Sequence, residues 1–170
     1  MQFLLALFRK ARHSAVYRWL LNRLLWRIIP FNRPHRFRIT RVGDDEIEIH
    51  MPYRRRNFNH LRGLHACGLA TVAEYATGLL LISNLDPTRY RIIMKSLAME
   101  YHFQGRMEGV VRFSLTREWI AEHVTGPLEE RESIVIEPEV GVYDVDGNHL
   151  ATGRFAWQIK RWDRVRTPQS

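Results

Sequence analysis

The chain has 170 residues, of which 45% are hydrophobic and 26% are charged. This length predicts one domain with an ordinary hydrophobic core, and the composition excludes an intrinsically disordered protein. A single cysteine, Cys67, excludes an internal disulfide and a cysteine-rich zinc site, so we expect a reducing, cytoplasmic location.

Positive charge is concentrated in the N-terminal third of the chain. The formal net charge is +8, but residues 1–62 carry 14 Lys and Arg against 4 Asp and Glu, whereas residues 63–170 carry 12 against 14. This distribution is compatible with phosphorylated ligands, nucleic acid or an anionic membrane surface. The basic segment lacks the motifs of known nucleic-acid modules, so we expect no nucleic-acid partner.

Residues 1–30 are predicted as an N-terminal amphipathic helix ahead of the main domain. Apolar and basic residues alternate there at helical spacing until Pro30 ends the pattern: Val16, Trp19, Leu20 and Leu24 against Arg18, Arg23 and Arg27. The first apolar run is followed, not preceded, by positive charge, which argues against a secretory signal peptide. We expect the helix to cover the sheet or to contact a membrane surface, without taking part in catalysis.

Most of the remaining chain has the alternating pattern of β-strands. A first hairpin is predicted around Gly43-Asp44-Asp45, and a last hairpin around Asp146-Gly147. The predicted longer strands cover residues 90–103, 110–115, 134–145 and 150–159, with an acidic connector at 118–132. We predict a main domain over residues 31–162 and a C-terminal tail over residues 163–170.

The segment between His65 and Asp86 has the composition of a buried helix. Its only charged residue is Glu74, which argues, with Thr71 and Gly78, against a membrane span. An antiparallel sheet wrapped around this helix would bury both elements. The fold class is therefore α+β, with one central helix and the extra N-terminal helix.

Glu74 is the best candidate for an acid–base group. A carboxylate isolated in an apolar helix either faces a cleft or has a polar partner, and burial would raise its pKa toward the range of a general base. The alternative is a structural carboxylate that is hydrogen-bonded to backbone or to an asparagine.

Polar residues gather just before this helix, where backbone N–H groups are unpaired and a substrate carbonyl would be polarised. They are Asn57, Asn59, His60, Gly63 and His65. His65 and Glu74 are nine positions apart, which places them about 13 Å apart along a helix and on nearly opposite faces. One site that uses both the helix start and Glu74 therefore needs two chains, so we predict a homodimer or higher homo-oligomer.

Asn59, His65 and Glu74, spaced as N-x5-H-x8-E, resemble the active-site signature of hot-dog thioesterases of the phenylacetate-pathway and hydroxybenzoyl-coenzyme A type. The wider pattern over residues 28–162 is similar to a poorly characterised subgroup of hot-dog thioesterases. The resemblance implies a hot-dog fold and an acyl-CoA thioesterase. It also implies that the Ala66 N–H polarises the thioester carbonyl, and that Glu74 of the facing subunit acts as base or nucleophile. Asn59 would orient Glu74 or water, and His65 would order the helix start.

One departure separates the chain from the better-known families. They have His-Gly-Gly at the helix start, whereas this chain has His65-Ala66-Cys67. Alanine supplies the same N–H donor if its φ is negative. We expect Cys67 to be a small buried packing residue and not a nucleophile.

Arg54, Arg55 and Arg56 either bind the phosphates of coenzyme A or form a solvated strand end. No metal or redox cofactor is expected, because the histidines lack metal-ligand spacing. Three alternatives to a thioesterase remain: a non-catalytic acyl-thioester-binding protein, a hot-dog dehydratase or hydratase, and a surface-binding protein.

Overall fold

The computed structural model describes residues 2–165. The N-terminal segment consists of two helices, α1 (Gln2–Ala11) and α2 (Ala15–Ile28), where the sequence predicted one. The break lies before Ser14, whose backbone is extended (φ −142°, ψ 124°). Each helix has its own apolar face, and folding back at Ser14 lets both faces reach the core. The buried residues of the pair are Leu4, Leu7, Phe8, Ala11, Leu21 and Leu25.

Seven antiparallel strands form one sheet in the order β1-β2-β4-β6-β7-β3, and β5 pairs with β7. The strands are β1 (Arg38–Val42), β2 (Glu46–Met51), β3 (Tyr90–Tyr101), β4 (Gly109–Ser114), β5 (Ser133–Ile136), β6 (Glu139–Asp144) and β7 (His149–Arg161). The prediction of one strand over 134–145 was wrong, because Glu137 and Pro138 separate β5 from β6. Proline has no N–H for a strand ladder, so the chain changes partner position at this point.

The predicted acidic connector over 118–132 is also wrong in part, because the segment is mostly helical. It contains α4 (Arg117–Ile120), a π-helical turn (Ala121–Thr125) and α5 (Pro127–Glu130). Thr116 caps α4, since its side chain accepts a hydrogen bond from the Trp119 N–H. Ile120, Val124 and Leu128 are buried at intervals of four residues, which is the helical signal that the acidic composition hid.

The long helix α3 (Ala66–Asn84) lies at the centre and packs against β2, β3, β4, β6 and β7. Its length and a mean hydropathy of 1.4 are also compatible with a membrane span, but 61% of that window is buried inside the fold, as in a core helix. Gly68 permits close packing, because a Cβ there would lie 2.5 Å from Met51 Cε on β2. An antiparallel sheet around one central helix is the predicted hot-dog architecture.

The two edges of the sheet differ in how they are covered. At β1 the side chain of Asn22, on α2, accepts from the Ile39 N–H at 2.8 Å and donates to the Ile39 carbonyl at 3.0 Å. At Ile39 the asparagine side chain thus makes the two hydrogen bonds that a neighbouring strand would otherwise make. At the other edge, β3 carries exposed Leu97 and Tyr101, with exposed fractions of 45% and 49%. This edge pairs with β7 on one side, and no strand among residues 2–165 covers its other side.

A polar cluster joins β1, β2 and β4. Glu48 accepts hydrogen bonds from the Thr40 hydroxyl (2.7 Å) and the Arg112 guanidinium (2.6 Å), and His50 Nε2 lies 3.0 Å from it. Burial alone would raise the pKa of the Glu48 carboxyl, but the hydrogen bonds from Thr40, Arg112 and His50 outweigh burial and lower the pKa to about 2.

Candidate functional site

The start of α3 is fixed by His65. This residue is the N-cap, with an extended backbone (φ −72°, ψ 135°), and the Cys67 N–H donates to His65 Nδ1 at 3.1 Å. The Ala66 N–H, one residue before Cys67, is a free donor, since it has no acceptor among residues 2–165. Ala66 is exposed and is not among the described residues with positive φ, so alanine meets the condition for an N–H donor at this position.

A buried asparagine anchors the loop that leads to His65. Asn57 is 1% exposed, and its side-chain amide donates to the carbonyls of His35 (3.0 Å) and Pro52 (2.8 Å). Its backbone carbonyl accepts from the His65 N–H at 2.8 Å. The sequence places Asn57 among the polar residues before the helix but gives it no role. The role is to hold the helix start against two separate segments of the chain.

Asn59 shapes its own loop. Its Oδ1 accepts from the N–H groups of Leu61 and Gly63, both at 2.9 Å, while Nδ2 makes only a long contact of 3.5 Å with the Leu64 carbonyl. Within residues 2–165 the side chain makes no hydrogen bond to Glu74. The Nδ2 donor is therefore the part of Asn59 that remains available to a substrate or to a second chain.

Glu74 lies half-buried in the middle of α3. Its carboxylate makes no side-chain hydrogen bond or ion pair with residues 2–165, so none of these residues is the polar partner that a structural carboxylate would have. Burial raises the pKa of the Glu74 carboxyl to about 7. A carboxyl with this pKa accepts a proton near neutral pH far more readily than an ordinary glutamate.

A tryptophan from β7 defines the surroundings of Glu74. A Cβ on Gly78 would lie 3.0 Å from Trp157 Cη2 and 3.7 Å from Glu74 Oε1, so ring and carboxylate both border this glycine. The Trp157 indole N–H donates to the Thr77 hydroxyl at 3.0 Å, and that hydroxyl donates to the Glu74 carbonyl at 2.9 Å. The absence of a side chain at Gly78 lets the ring lie close to α3.

Ala66 and Glu74 share one accessible stripe of α3. The helix residues with solvent exposure in this half are Ala66, Cys67, Ala70, Thr71 and Glu74, which follow a helical face. Tyr101 of β3 borders the stripe, because its hydroxyl donates to the Ala66 carbonyl at 3.1 Å. Cys67 is exposed on this stripe, so the expectation of a buried cysteine was wrong. Gly68 and Leu69, not Cys67, face the sheet.

The Ala66 N–H and the Glu74 carboxylate do not meet within one chain. They are eight residues apart on a straight helix, which corresponds to about 12 Å along the axis. The Ala66 N–H and the Glu74 carboxylate therefore lie along one surface of α3, at about the distance that the sequence implied. Nearly opposite faces were expected for His65 and Glu74, whereas the donor at Ala66 shares its face with Glu74.

Arg54, Arg55 and Arg56 lie in the loop after β2, and all three are exposed. None of them makes an ion pair with residues 2–165. Their guanidinium groups are accordingly available to an anionic ligand, and Asn57 ties the same loop to the start of α3.

Comparisons with known proteins agree with the architecture. The family model described as a domain of unknown function, DUF4442, matches residues 17–159. No curated protein matches the sequence. Among solved structures, a Pseudomonas aeruginosa protein of unknown function named "Probable Thioesterase" is similar, with a TM-score of 0.77 and 23% identity, covering 83% of this chain and 94% of its own.

Two further solved structures share the fold. A Haemophilus influenzae thioesterase has a TM-score of 0.63 and 16% identity, covering 83% of this chain and 88% of its own. A Chlorobaculum tepidum protein of unknown function has a TM-score of 0.71 and 13% identity, covering 88% and 98%. At these identities the likeness establishes the hot-dog fold.

Proposed function

The chain belongs to the DUF4442 family, and we propose that it is an acyl-thioester hydrolase whose active site is built from two copies of the chain. The observation that carries the proposal is Glu74, a half-buried carboxyl with a pKa of about 7 and no side-chain partner among residues 2–165. Solved structures with this fold include a Haemophilus influenzae thioesterase, which supports the same reaction class.

The proposed reaction uses only water and groups of the chain. The Ala66 N–H donates to the thioester carbonyl oxygen and stabilises the negative charge that develops there. Glu74 of the partner subunit takes a proton from water as the oxygen attacks the carbonyl carbon, or attacks that carbon itself. The carbon–sulfur bond then breaks, and the leaving thiolate takes the proton that came from water. After direct attack, water hydrolyses the anhydride between the acyl group and Glu74, so both routes end in a carboxylic acid and a thiol.

Two copies are needed because the donor and the base lie about 12 Å apart on one helix. A two-fold axis beside the accessible stripe would set two α3 helices antiparallel, so that each Ala66 lies beside Glu74 of the partner subunit. The uncovered edge of β3 supports this arrangement, since pairing of two such edges would satisfy backbone groups and cover Leu97 and Tyr101.

Acyl-CoA is the proposed substrate class. Arg54, Arg55 and Arg56 are exposed, lack acidic partners within residues 2–165 and lie on the loop held to the helix start by Asn57. Guanidinium groups in this position suit the phosphates of coenzyme A. A reducing, cytoplasmic location, which fits this substrate, is part of the same proposal.

Complementation between two inactive variants tests the shared site. Glu74→Gln removes the base, and Ala66→Pro removes the N–H donor. Proline is compatible with the first position of a helix, and His65 already has the extended backbone that a residue before proline prefers. We expect each variant alone to lose acyl-CoA hydrolysis.

Mixing the two variants after reversible dissociation should restore about a quarter of wild-type activity, because half of the dimers are mixed and each has one intact site. Restoration requires that donor and base come from different chains. If the mixture stays inactive while co-purification of two differently tagged variants shows mixed dimers, the shared site is wrong. Circular dichroism of Ala66→Pro verifies that α3 still forms.

A non-catalytic acyl-thioester-binding protein is the second candidate. The occupied oxygen of Asn59 favours it, because only Nδ2 remains to orient Glu74 or water. Calorimetric titration with a nonhydrolysable acyl-CoA analogue, next to a hydrolysis assay with a set of acyl-CoA thioesters, separates the candidates. Binding without turnover would establish the second one.

A further inference from the structure

The helix pair α1–α2 exposes large apolar side chains away from the core. Phe3 is 72% exposed, Val16 66% and Trp19 60%, and Leu20 adds a further 39%. Val16, Trp19 and Leu20 follow the spacing of one helical face. We call Phe3, Val16, Trp19 and Leu20 the N-terminal face. Soluble monomers rarely leave several such residues exposed side by side unless the surface has a partner.

A groove of about 470 Å³ separates α1 from α2 at this face. Most of the residues that line it are apolar, and the exposed residues Lys10, Arg23 and Arg27 line it as well. Lys10 Nζ lies 5.1 Å from the ring centre of Tyr17, and the Arg23 guanidinium lies 5.7 Å from that of Trp19. Cationic groups are thus held directly beside the apolar walls.

The charge around the groove is of one sign. Residues 1–43 contain ten Arg and Lys and no Asp or Glu. Among residues 2–165, Lys10, Arg23 and Arg27 make no ion pair, whereas Arg12 pairs with Asp44. The face therefore offers apolar side chains surrounded by positive charge that no residue of the described chain neutralises.

We propose that the N-terminal face docks on an anionic phospholipid bilayer. Phe3, Trp19 and Leu20 would enter the interfacial region, and Lys10, Arg23 and Arg27 would contact lipid phosphates. A bilayer surface has a layer of negatively charged phosphates directly above an apolar layer. The phosphates would meet the basic side chains, and the apolar layer would accept the apolar side chains of the N-terminal face. A second copy of the chain would bring like charges together, and a nucleic acid would leave Phe3 and Val16 in water.

The location of the face makes the inference independent of the proposed hydrolysis. Asn22 fixes α2 to β1, which is the sheet edge farthest from β3. The N-terminal face contains no residue of the accessible stripe of α3 or of the β3 edge. The protein would thus work at a membrane surface with its candidate site open to acyl thioesters in solution.

Vesicle co-sedimentation with the full chain tests the proposal. Vesicles of phosphatidylcholine containing about 30% phosphatidylglycerol are compared with pure phosphatidylcholine, each at low and high salt. We expect binding to the anionic vesicles that weakens with salt, and little binding to the neutral ones. The proposal would be overturned if the protein bound both vesicle types equally well, or if it bound neither of them.

Two surface variants and two matched controls locate the docking face. The double variant Arg23→Gln with Arg27→Gln should weaken binding by about 25-fold, because each basic residue near an anionic surface contributes about fivefold to the affinity. Phe3→Ser with Trp19→Ser should abolish it. Arg131→Gln and Val145→Ser remove an exposed arginine and an exposed valine elsewhere and should bind as wild type.

Three results would overturn the assignment of this face. In the first, the control variants lose as much vesicle binding as the face variants. In the second, the chain binds a single-stranded RNA homopolymer but not anionic vesicles, which would identify a nucleic-acid surface. In the third, the face variants change the oligomeric state in gel filtration, which would identify an interface between copies of the chain. Hydrolysis activity is not a readout, so failure of the proposed function leaves this test intact.

Discussion

The Trp157 indole N–H donates a hydrogen bond of 3.0 Å to the Thr77 hydroxyl, and both groups are buried. The same hydroxyl donates to the Glu74 carbonyl at 2.9 Å, so β7 is connected to the turn of α3 that carries the candidate base. Leaving a buried donor without an acceptor destabilises a fold by more than a typical hydrogen bond stabilises it. This pair therefore fixes the position of Glu74 relative to the sheet.

Thr77→Val should destabilise the fold by about 1–3 kcal/mol, because it leaves the buried Trp157 N–H without an acceptor. Thr77→Ser keeps the hydroxyl and is the matched control, with a smaller loss. Urea unfolding of both variants measures the difference. If valine and serine cost the same free energy, the hydrogen bond does not stabilise the fold.

Glu74→Gln should lower turnover about 10²-fold or more, the usual scale for loss of a general base. It should also stabilise the fold at pH 8. The folded-state pKa of about 7 lies above the ordinary value of 4.5, so the wild type loses stability as pH rises from 4.5 through 7. Glutamine removes this loss, which is at most about 3 kcal/mol, and gives no gain at pH 4.

Urea unfolding at pH 4 and pH 8, next to a hydrolysis assay, separates these two effects of Glu74→Gln. Glu130→Gln removes an exposed carboxylate and is the control that should change neither quantity. Wild-type turnover in Glu74→Gln would contradict the catalytic role. A stability gain that is equal at both pH values would contradict the raised pKa.

Gly78→Ala tests the close approach of Trp157 to α3. The added methyl carbon would lie 3.0 Å from Trp157 Cη2 and 3.2 Å from Cζ2, so the ring must move. We expect a loss of stability of about 1–3 kcal/mol from overpacking, although alanine is the better helix former. Turnover should fall as well, because the ring borders Glu74. Near-ultraviolet circular dichroism and unfolding measure the displacement.

The control for Gly78→Ala is Ala70→Ser on the same helix, at a half-buried position of the accessible stripe. It adds one atom without facing Trp157. Unchanged or raised stability in Gly78→Ala would show that the ring yields without cost, and the packing argument would be wrong.

The sequence predicted the elements that have a strong period and missed those set by single interactions. The first hairpin and the helix after His65 follow from alternation and from a long apolar run. The break at Ser14 was missed because it depends on which surface the next helix covers. The interruption at Pro138 was missed because the alternation of apolar residues continues on both sides of the proline, although proline itself is a local signal for the end of a strand. The roles of Asn57 and Asn22 depend on partners that are distant in sequence, which spacing alone does not reveal.

The candidate site divides in the same way. The positions of His65 and Glu74 on one helix were predictable from the spacing, and their separation implied two chains. The proximity of Glu74 and Trp157 was not predictable from the spacing, because 83 positions separate the two residues in the sequence. The roles of Glu74, Asn59, Ala66 and the three arginines in catalysis and binding stay predictions.

Glu48→Gln should reduce acid sensitivity. The folded-state pKa of about 2 lies below the ordinary 4.5, so Glu48 contributes stability that is present above pH 4.5 and is lost as pH falls toward 2. The variant should be less stable than wild type at pH 7 by about 1 kcal/mol, because water screens the largely exposed Arg112, and the difference should shrink at pH 3. Thermal unfolding at both values measures it. A difference that does not depend on pH would exclude ionisation as the cause.

His65→Ala should destabilise the fold by about 1 kcal/mol, because the Cys67 N–H at the start of α3 loses its acceptor. His65→Asn is the matched variant, since asparagine is a good N-cap and keeps a side-chain acceptor. If His65 only positions the helix start, His65→Asn should restore both the stability and the kcat that His65→Ala loses. Unfolding and steady-state kinetics of the two variants measure this. A stable but inactive asparagine variant would show that the imidazole itself acts on the substrate.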